Sequence, residues 1–197
     1  GAKRIGAGTL RFLHQAGYNT IIHCRLSRQS ADKLAEELNK KRADSAKVIQ
    51  GDLNHETIYN KLIDQAHQCW NRLDVLINNA GVVTLKREQT EDGFESMQGI
   101  NHLGHFLLTN LLLDVLRISE EGRIVVVSSG AHKSGKTNWE DPHLEKSFSV
   151  WKGYAQSKLC NNLFTIELAD RLRETNVTVN CLHPGGVAAG TPCHPAG

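Results

Sequence analysis

Apolar positions along this chain alternate between a helical period and short β-branched runs. Residues Ile5 to Ala16 place their apolar side chains on one helical face, and Gly17 follows as a C-terminal cap. Tyr18 to Cys24 is strand-like, and Ser30 is placed to cap a helix reaching about Arg42, with Leu34, Ala35 and Leu38 as its stripe. Ala46 to Gln50 is a short strand that ends at Gly51-Asp52-Leu53. A helix from about His55 to Asn71 uses Ile58, Leu62, Ile63 and Ala66. Leu73 to Ile77 has the pattern of a buried strand and opens into Asn78-Asn79-Ala80-Gly81. The next long helix is expected from Thr90, carrying Phe94, Met97, Ile100 and Asn101. Ile124 to Val127 predicts a strand, Val150 to Thr175 a helix, and Val177 to Leu182 a last strand. Strands alternating with helices predict an α/β fold: a parallel sheet of about five strands with helices on both faces. No repeat, low-complexity tract or linker divides residues 1–197, so a single domain is expected.

Composition narrows the class without fixing the chemistry. A length of 197 residues with 40% hydrophobic and 22% charged content suits one soluble globular domain with a substantial core. The net charge of +2, without a dense Lys/Arg block, gives no reason to expect a nucleic-acid partner. No apolar run reaches the roughly 18 residues of a membrane span, and no signal peptide is visible. Five cysteines without close pairing fit reduced thiols in a cytoplasmic compartment. His102 and His105 stand three apart, but no Cys-x-x-Cys or HExxH pattern supports a metal, and none is expected.

Two stretches carry chemistry. The amino-terminal Gly1-Ala2-Lys3-Arg4-Ile5-Gly6-Ala7-Gly8 precedes a helix, so its glycines would let backbone approach a phosphate in line with free helix N–H groups. The strand that follows ends in His23, Cys24, Arg25, Ser27 and Arg28, where an NAD site would hold Asp or Glu on a ribose hydroxyl. Basic donors there suit a 2′-phosphate and favour NADP(H) over NAD(H). The second stretch is Tyr154-Ala155-Gln156-Ser157-Lys158, following a strand that ends in Ser128-Ser129. A tyrosine and a lysine at i and i+4 share one helical face, and the ammonium favours the phenolate. That arrangement suits proton transfer near neutral pH.

Taken in this order, the motifs resemble the short-chain dehydrogenase/reductase family over nearly the whole chain. The resemblance implies a Rossmann-like, doubly wound parallel sheet and a catalytic tetrad of Asn101, Ser129, Tyr154 and Lys158, with Ser128 the rival for the serine role. It implies that Gly1, Lys3, Arg4, Ile5 and Gly6 form the phosphate loop, and that Arg25 and Ser27 face the adenosine ribose. Asp52 and Leu53 would contact adenine, and Asn79, Ala80 and Gly81 the cofactor behind the next strand. Pro184, Gly185 and Val187 would lie near the nicotinamide, which Tyr154 and Lys158 also reach.

Several features depart from the family pattern. The spacing of Gly1, Gly6 and Gly8 is one residue off the commoner one, no strand precedes Gly1, and the chain stops at Gly197. The expected sheet therefore lacks the family's first strand and its C-terminal end. Ala189 stands where many relatives carry a threonine. Residues 1 to about 80, with Cys69-Trp70-Asn71-Arg72-Leu73-Asp74, resemble bacterial pteridine reductases. From Gly81 onward, Asp92-Gly93-Phe94-Glu95 and Asn101-His102-Leu103-Gly104-His105-Phe106 resemble retinol dehydrogenases, so a composite chain is one reading. The serine and its 25-residue distance from Tyr154 favour the second type. The expected activity is NADP(H)-dependent interconversion of an alcohol and a carbonyl on a retinoid-like or other apolar small molecule. A pteridine reductase and a silent nucleotide-binding module are the alternatives, and homo-oligomer formation is left open.

Overall fold

A computed structural model of the chain describes residues 1–53 and 57–186. Its elements are α1 (Arg4–Gln15), β1 (Thr20–Cys24), α2 (Arg28–Lys41), β2 (Ala46–Gln50), α3 (Thr57–Trp70) and β3 (Val75–Asn78). They continue with α4 (Ser96–Gln98), α5 (Gly104–Ile118), β4 (Gly122–Val127), α6 (Val150–Arg171) and β5 (Val177–Leu182). A π-turn, Gly99–Leu103, joins α4 to α5, and a 3₁₀ turn, Gly130–Ser134, follows β4. Gly17 takes a φ of +98°, the left-handed conformation expected of a helix cap.

All strand pairs are parallel. β1 pairs with β2 from Thr20↔Ala46 to Cys24↔Gln50, and β4 lies between β3 and β5. The strands form two sheets, of two and three strands, rather than the single sheet the sequence predicts. Hydrogen-bonded neighbours must lie about 4.7–4.9 Å apart. β1 and β3 instead face each other across a cavity of about 560 Å³, walled by Ile21 and His23, Leu76 and Asn78, Leu10 and Leu108. No strand among the described residues bridges that gap.

Each sheet has its own apolar cluster. Ile22, Ala31 and Leu38, from β1 and α2, are fully buried against Ala7 and Ala46. Leu116, Ile124 and Val126, from α5 and β4, are fully buried against Phe164, Leu168 and Val179. Each fully buried Ile, Leu or Val side chain contributes about 1.5–3 kcal/mol relative to exposure.

Two helix starts differ from the sequence expectation. α2 begins at Arg28 after Ser27, before Ser30, because Arg28 pairs with Asp32 one turn on, Nε to Oδ1 at 2.7 Å, and holds the extra turn. The helix expected from Thr90 begins at Ser96. Gly93, at φ +84°, closes a turn in which its N–H donates to the Thr90 carbonyl, and Gln89 bridges Glu95 antiparallel. Glu95 then caps the helix, its buried carboxylate accepting from the Met97 and Gln98 N–H groups at 3.0 and 2.8 Å.

Candidate functional site

Parallel strands bring their carboxyl ends, and the loops that follow them, to one edge of a sheet, where open α/β folds bind ligands. Arg25 follows β1 and Asp52 follows β2, and the register Cys24↔Gln50 sets them side by side. Arg25 Nη1 lies 3.8 Å from Asp52 Oδ2, a half-exposed pair that neutralises part of the basic strand end. Asn79, Ala80 and Gly81 follow β3, Ser129 follows β4, and Pro184 and Gly185 follow β5. Ala80, Gly81, Pro184 and Gly185 are exposed. Val187 and Ala189 lie outside the described residues.

The amino-terminal loop has the shape its glycines predict. A Cβ on Gly6 would sit 2.8 Å from the Gly1 carbonyl oxygen, so only glycine allows that approach. Arg4 opens α1 with φ +51°, a left-handed conformation unusual for a side-chain-bearing residue. Lys3, at the N-cap, makes no side-chain cap bond, and the N-terminus of α1 carries the positive end of the helix dipole. Lys3 and Arg4 are exposed there, Ile5 is half-buried, and Gly1, Gly6 and Leu53 line the cavity between the sheets. Ser27, the N-cap of α2, accepts the Ala31 N–H on its carbonyl. These residues fit a dinucleotide phosphate chain.

Helix α6 carries the second half of the site. Its N-cap Ser149 accepts from the Lys152 N–H, and its start is anchored by Gln156 Nε2 donating to the Pro142 carbonyl at 2.8 Å. Lys158 is 4% exposed and its Nζ donates to the Val127 carbonyl at 2.9 Å, at the end of β4. The ammonium stands 5.8 Å from the centroid of the half-buried Tyr154 ring. Burial pushes the Lys158 amine below its ordinary pKa. The two serines after β4 separate by environment. Ser128 is buried and donates to the Lys158 carbonyl at 2.9 Å. Ser129 is half-buried and accepts from the Ala131 N–H at 3.3 Å, a bond that does not use its own hydrogen.

Asn101 is fully buried within the π-turn. Its amide donates to the Val82 carbonyl at 3.0 Å and to Ser157 Oγ at 3.1 Å, and accepts from the Val82 N–H at 2.8 Å. The side chain therefore ties the loop after β3 to α6. A Cβ on Gly81 would lie 3.4 Å from Asn101 Oδ1 and 3.7 Å from Lys158 Nζ, so this loop rests on both residues.

Sequence reasoning missed the polar supports around this arrangement. Asn78 Nδ2 donates to Thr109 Oγ1 at 2.8 Å in the interior, locking the start of the β3 loop to α5. Arg87 Nε donates to the His143 carbonyl at 2.9 Å, which fastens the 82–95 loop to the segment before α6. Asn161 and His102 bond each other at 3.1 Å. Asn161 lies one turn beyond Lys158, and that i+3 spacing is the signal that could have found it.

A profile of the short chain dehydrogenase family matches residues 1–194. The chain belongs to this family. Retinol dehydrogenase 14 of Mus musculus is 42% identical over 201 residues, covering 96% of this chain and 60% of that protein. Retinol dehydrogenase 13 of Homo sapiens is 40% identical over 198 residues, covering 92% of this chain and 55% of that protein. This short-chain dehydrogenase thus spans about 60% of the length of such relatives. The similarity extends through the amino-terminal stretch read as pteridine-reductase-like, so no composite is needed to account for it. Among solved structures, an uncharacterised protein of Mycobacterium paratuberculosis matches with a TM-score of 0.80 and 38% identity over 93% of this chain and 65% of that one. A metagenomic short-chain oxidoreductase solved with NADP matches at 0.77 and 22% identity over 95% of this chain and 80% of that one, a likeness of fold.

Proposed function

We propose that this chain carries the catalytic part of an oxidoreductase that interconverts an alcohol and a carbonyl, using NADP(H) in preference to NAD(H). The observation that carries the reading is the pairing of Tyr154 and Lys158 on one face of α6, ring centroid to ammonium 5.8 Å, beside the half-buried Ser129. When bound, the nicotinamide supplies or accepts the hydride. Tyr154 gives a proton to the substrate oxygen or takes one from it, and the Ser129 hydroxyl donates to that oxygen and holds it. Lys158 provides positive charge beside the phenol, its ammonium fixed by the Val127 carbonyl. Asn101 acts as a positioning residue, since its amide is engaged by Val82 and Ser157. Gly1, Lys3, Arg4, Ile5 and Gly6 would hold the pyrophosphate, and Arg25 with Ser27 the 2′-phosphate. Asp52 and Leu53 would flank adenine. Asn79, Ala80, Gly81, Pro184 and Gly185 would face the nicotinamide half.

An apolar, retinoid-like substrate is favoured by the exposed side chains around the tetrad. Val83 and Leu85, 56% and 76% exposed, follow Gly81, and Trp151, 59% exposed, stands one turn before Tyr154. The relatives named retinol dehydrogenases point the same way. The test is a turnover screen of retinal, other aldehydes and ketones, and a dihydropterin, each with NADPH and NADH. Retinal or another apolar carbonyl should turn over with NADPH, and Tyr154→Phe should lower that turnover by about 10²–10⁴. Reduction of the dihydropterin alone would replace the substrate assignment. Binding of NADPH without turnover of any carbonyl would leave a silent nucleotide-binding module.

A further inference from the structure

The π-turn that holds Asn101 creates a local problem. An extra residue in a helical turn breaks the regular hydrogen-bond ladder, and the Asn101 carbonyl is met from another helix. Asn161, on α6 and fully buried, donates its Nδ2 to that carbonyl at 2.9 Å. With the Asn161 amide oriented this way, its Oδ1 is an acceptor, and His102 Nδ1 lies 3.1 Å from it. His102 therefore carries its proton on Nδ1. The His102 ring is held in turn by Phe106 and Phe164, at centroid distances of 6.3 and 6.2 Å. Burial holds the His102 pKa below its ordinary value, while the bond to Asn161 pulls the other way.

We infer that Asn161, oriented by His102, is a positioning residue that clamps the π-turn to α6 and so sets the Asn101 amide and the Val82 loop against Lys158. The inference rests on the oxidoreductase reading only for its effect on turnover. The path is contiguous on bonds already described: His102 to Asn161, Asn161 to the Asn101 backbone, and the Asn101 side chain to Val82 and Ser157. Asn161 sits one turn past Lys158 on the same helix, so one rigid element presents both the ammonium and the clamp. A purely space-filling role would need no donor aimed at a carbonyl and no acceptor aimed at an imidazole.

The test is Asn161→Leu, similar in size but unable to make either bond, in the full chain. The Val82 amide, bonded to Asn101 Oδ1, should exchange its hydrogen faster by about tenfold or more, while the Ile124 and Val126 amides in β4 keep their rates. Turnover should fall by about tenfold, with NADPH affinity changed by less than about threefold, as expected when positioning rather than binding is lost. A folded Asn161→Leu chain with unchanged Val82 exchange overturns the inference. If that variant does not fold, His102→Phe retains the ring contacts and removes only the bond to Asn161. Faster Val82 exchange in it supports the clamp, and an unchanged rate overturns it. Exchange is read without turnover, so an inactive parent chain would count against the oxidoreductase reading alone.

Discussion

His105 is a buried histidine whose surroundings disfavour its charged form. The side chain is 4% exposed, neither ring nitrogen has a well-formed hydrogen bond, and the Asn101 carbonyl makes a weak contact with the ring. Burial, with Lys158 and His102 nearby, holds its pKa down at about 4 against an ordinary 6.5. The unfolded chain therefore binds the proton before the folded chain does as pH falls. The stability linked to neutral His105 is fully present above pH 6.5 and is lost progressively toward pH 4. The loss amounts to about 2 kcal/mol at pH 5 and approaches about 3.4 kcal/mol at its limit, from 2.5 pH units at 1.36 kcal/mol each. Against a typical total stability of about 5–15 kcal/mol this is a large fraction. Urea unfolding of the parent and of His105→Leu at pH 7.5 and pH 5 isolates the effect. His14, His23 and His102 are also lowered by burial and destabilise both chains alike. At pH 7.5 the leucine variant should be at least as stable as the parent, because it removes an unpartnered polar group. On moving to pH 5 the parent should lose about 2 kcal/mol more than the variant. An equal loss in both chains would refute the claim that His105 is buried and neutral.

The amino-terminal loop gives a paired test. Gly6→Ala drives a Cβ onto the Gly1 carbonyl and should weaken NADPH binding, whereas Gly8→Ala enters open space inside α1 and should stabilise by about 0.5–1 kcal/mol, as read by a urea midpoint. Arg25→Gln should raise the NADPH dissociation constant by about tenfold and leave NADH within experimental scatter, and equal effects in a titration would contradict the 2′-phosphate assignment. Ser129→Ala should lower turnover by about 10²–10³, while Ser128→Ala, which loses the bond to the Lys158 carbonyl, should cost about 1 kcal/mol of stability with a smaller kinetic effect. The reverse ranking in turnover would exchange the two serines.

Much of this fold was legible because local signals agreed with tertiary demands. The β-branched runs at Thr20–Cys24, Ala46–Gln50 and Val177–Leu182 became strands within two residues of their expected limits. The Tyr154–Lys158 spacing translated directly into a shared helical face near the end of β4. The late start of the helix before Asn101 was missed because Asp92-Gly93 turn chemistry and the Glu95 cap outweigh the apolar period around them. The split into two sheets could not be read from periodicity, since β1 and β3 each have a strand's pattern whether or not anything lies between them. Asn161 escaped notice because a buried amide in a long helix looks structural until its partner, a carbonyl in a π-turn, is placed in space. No helix among the described residues is long and apolar enough to cross a membrane.

Single-turnover oxidation of bound NADPH by an apolar aldehyde, compared between the parent chain and Tyr154→Phe, bears most directly on the proposed chemistry. The substitution keeps the ring beside Lys158 and removes only the hydroxyl. The variant should fold with a thermal midpoint near the parent's, bind NADPH as tightly, and transfer hydride slower by about 10²–10⁴, the usual loss with a general acid. A Tyr154→Phe chain that oxidised NADPH at the parent's rate would contradict the assignment of Tyr154 as the proton donor.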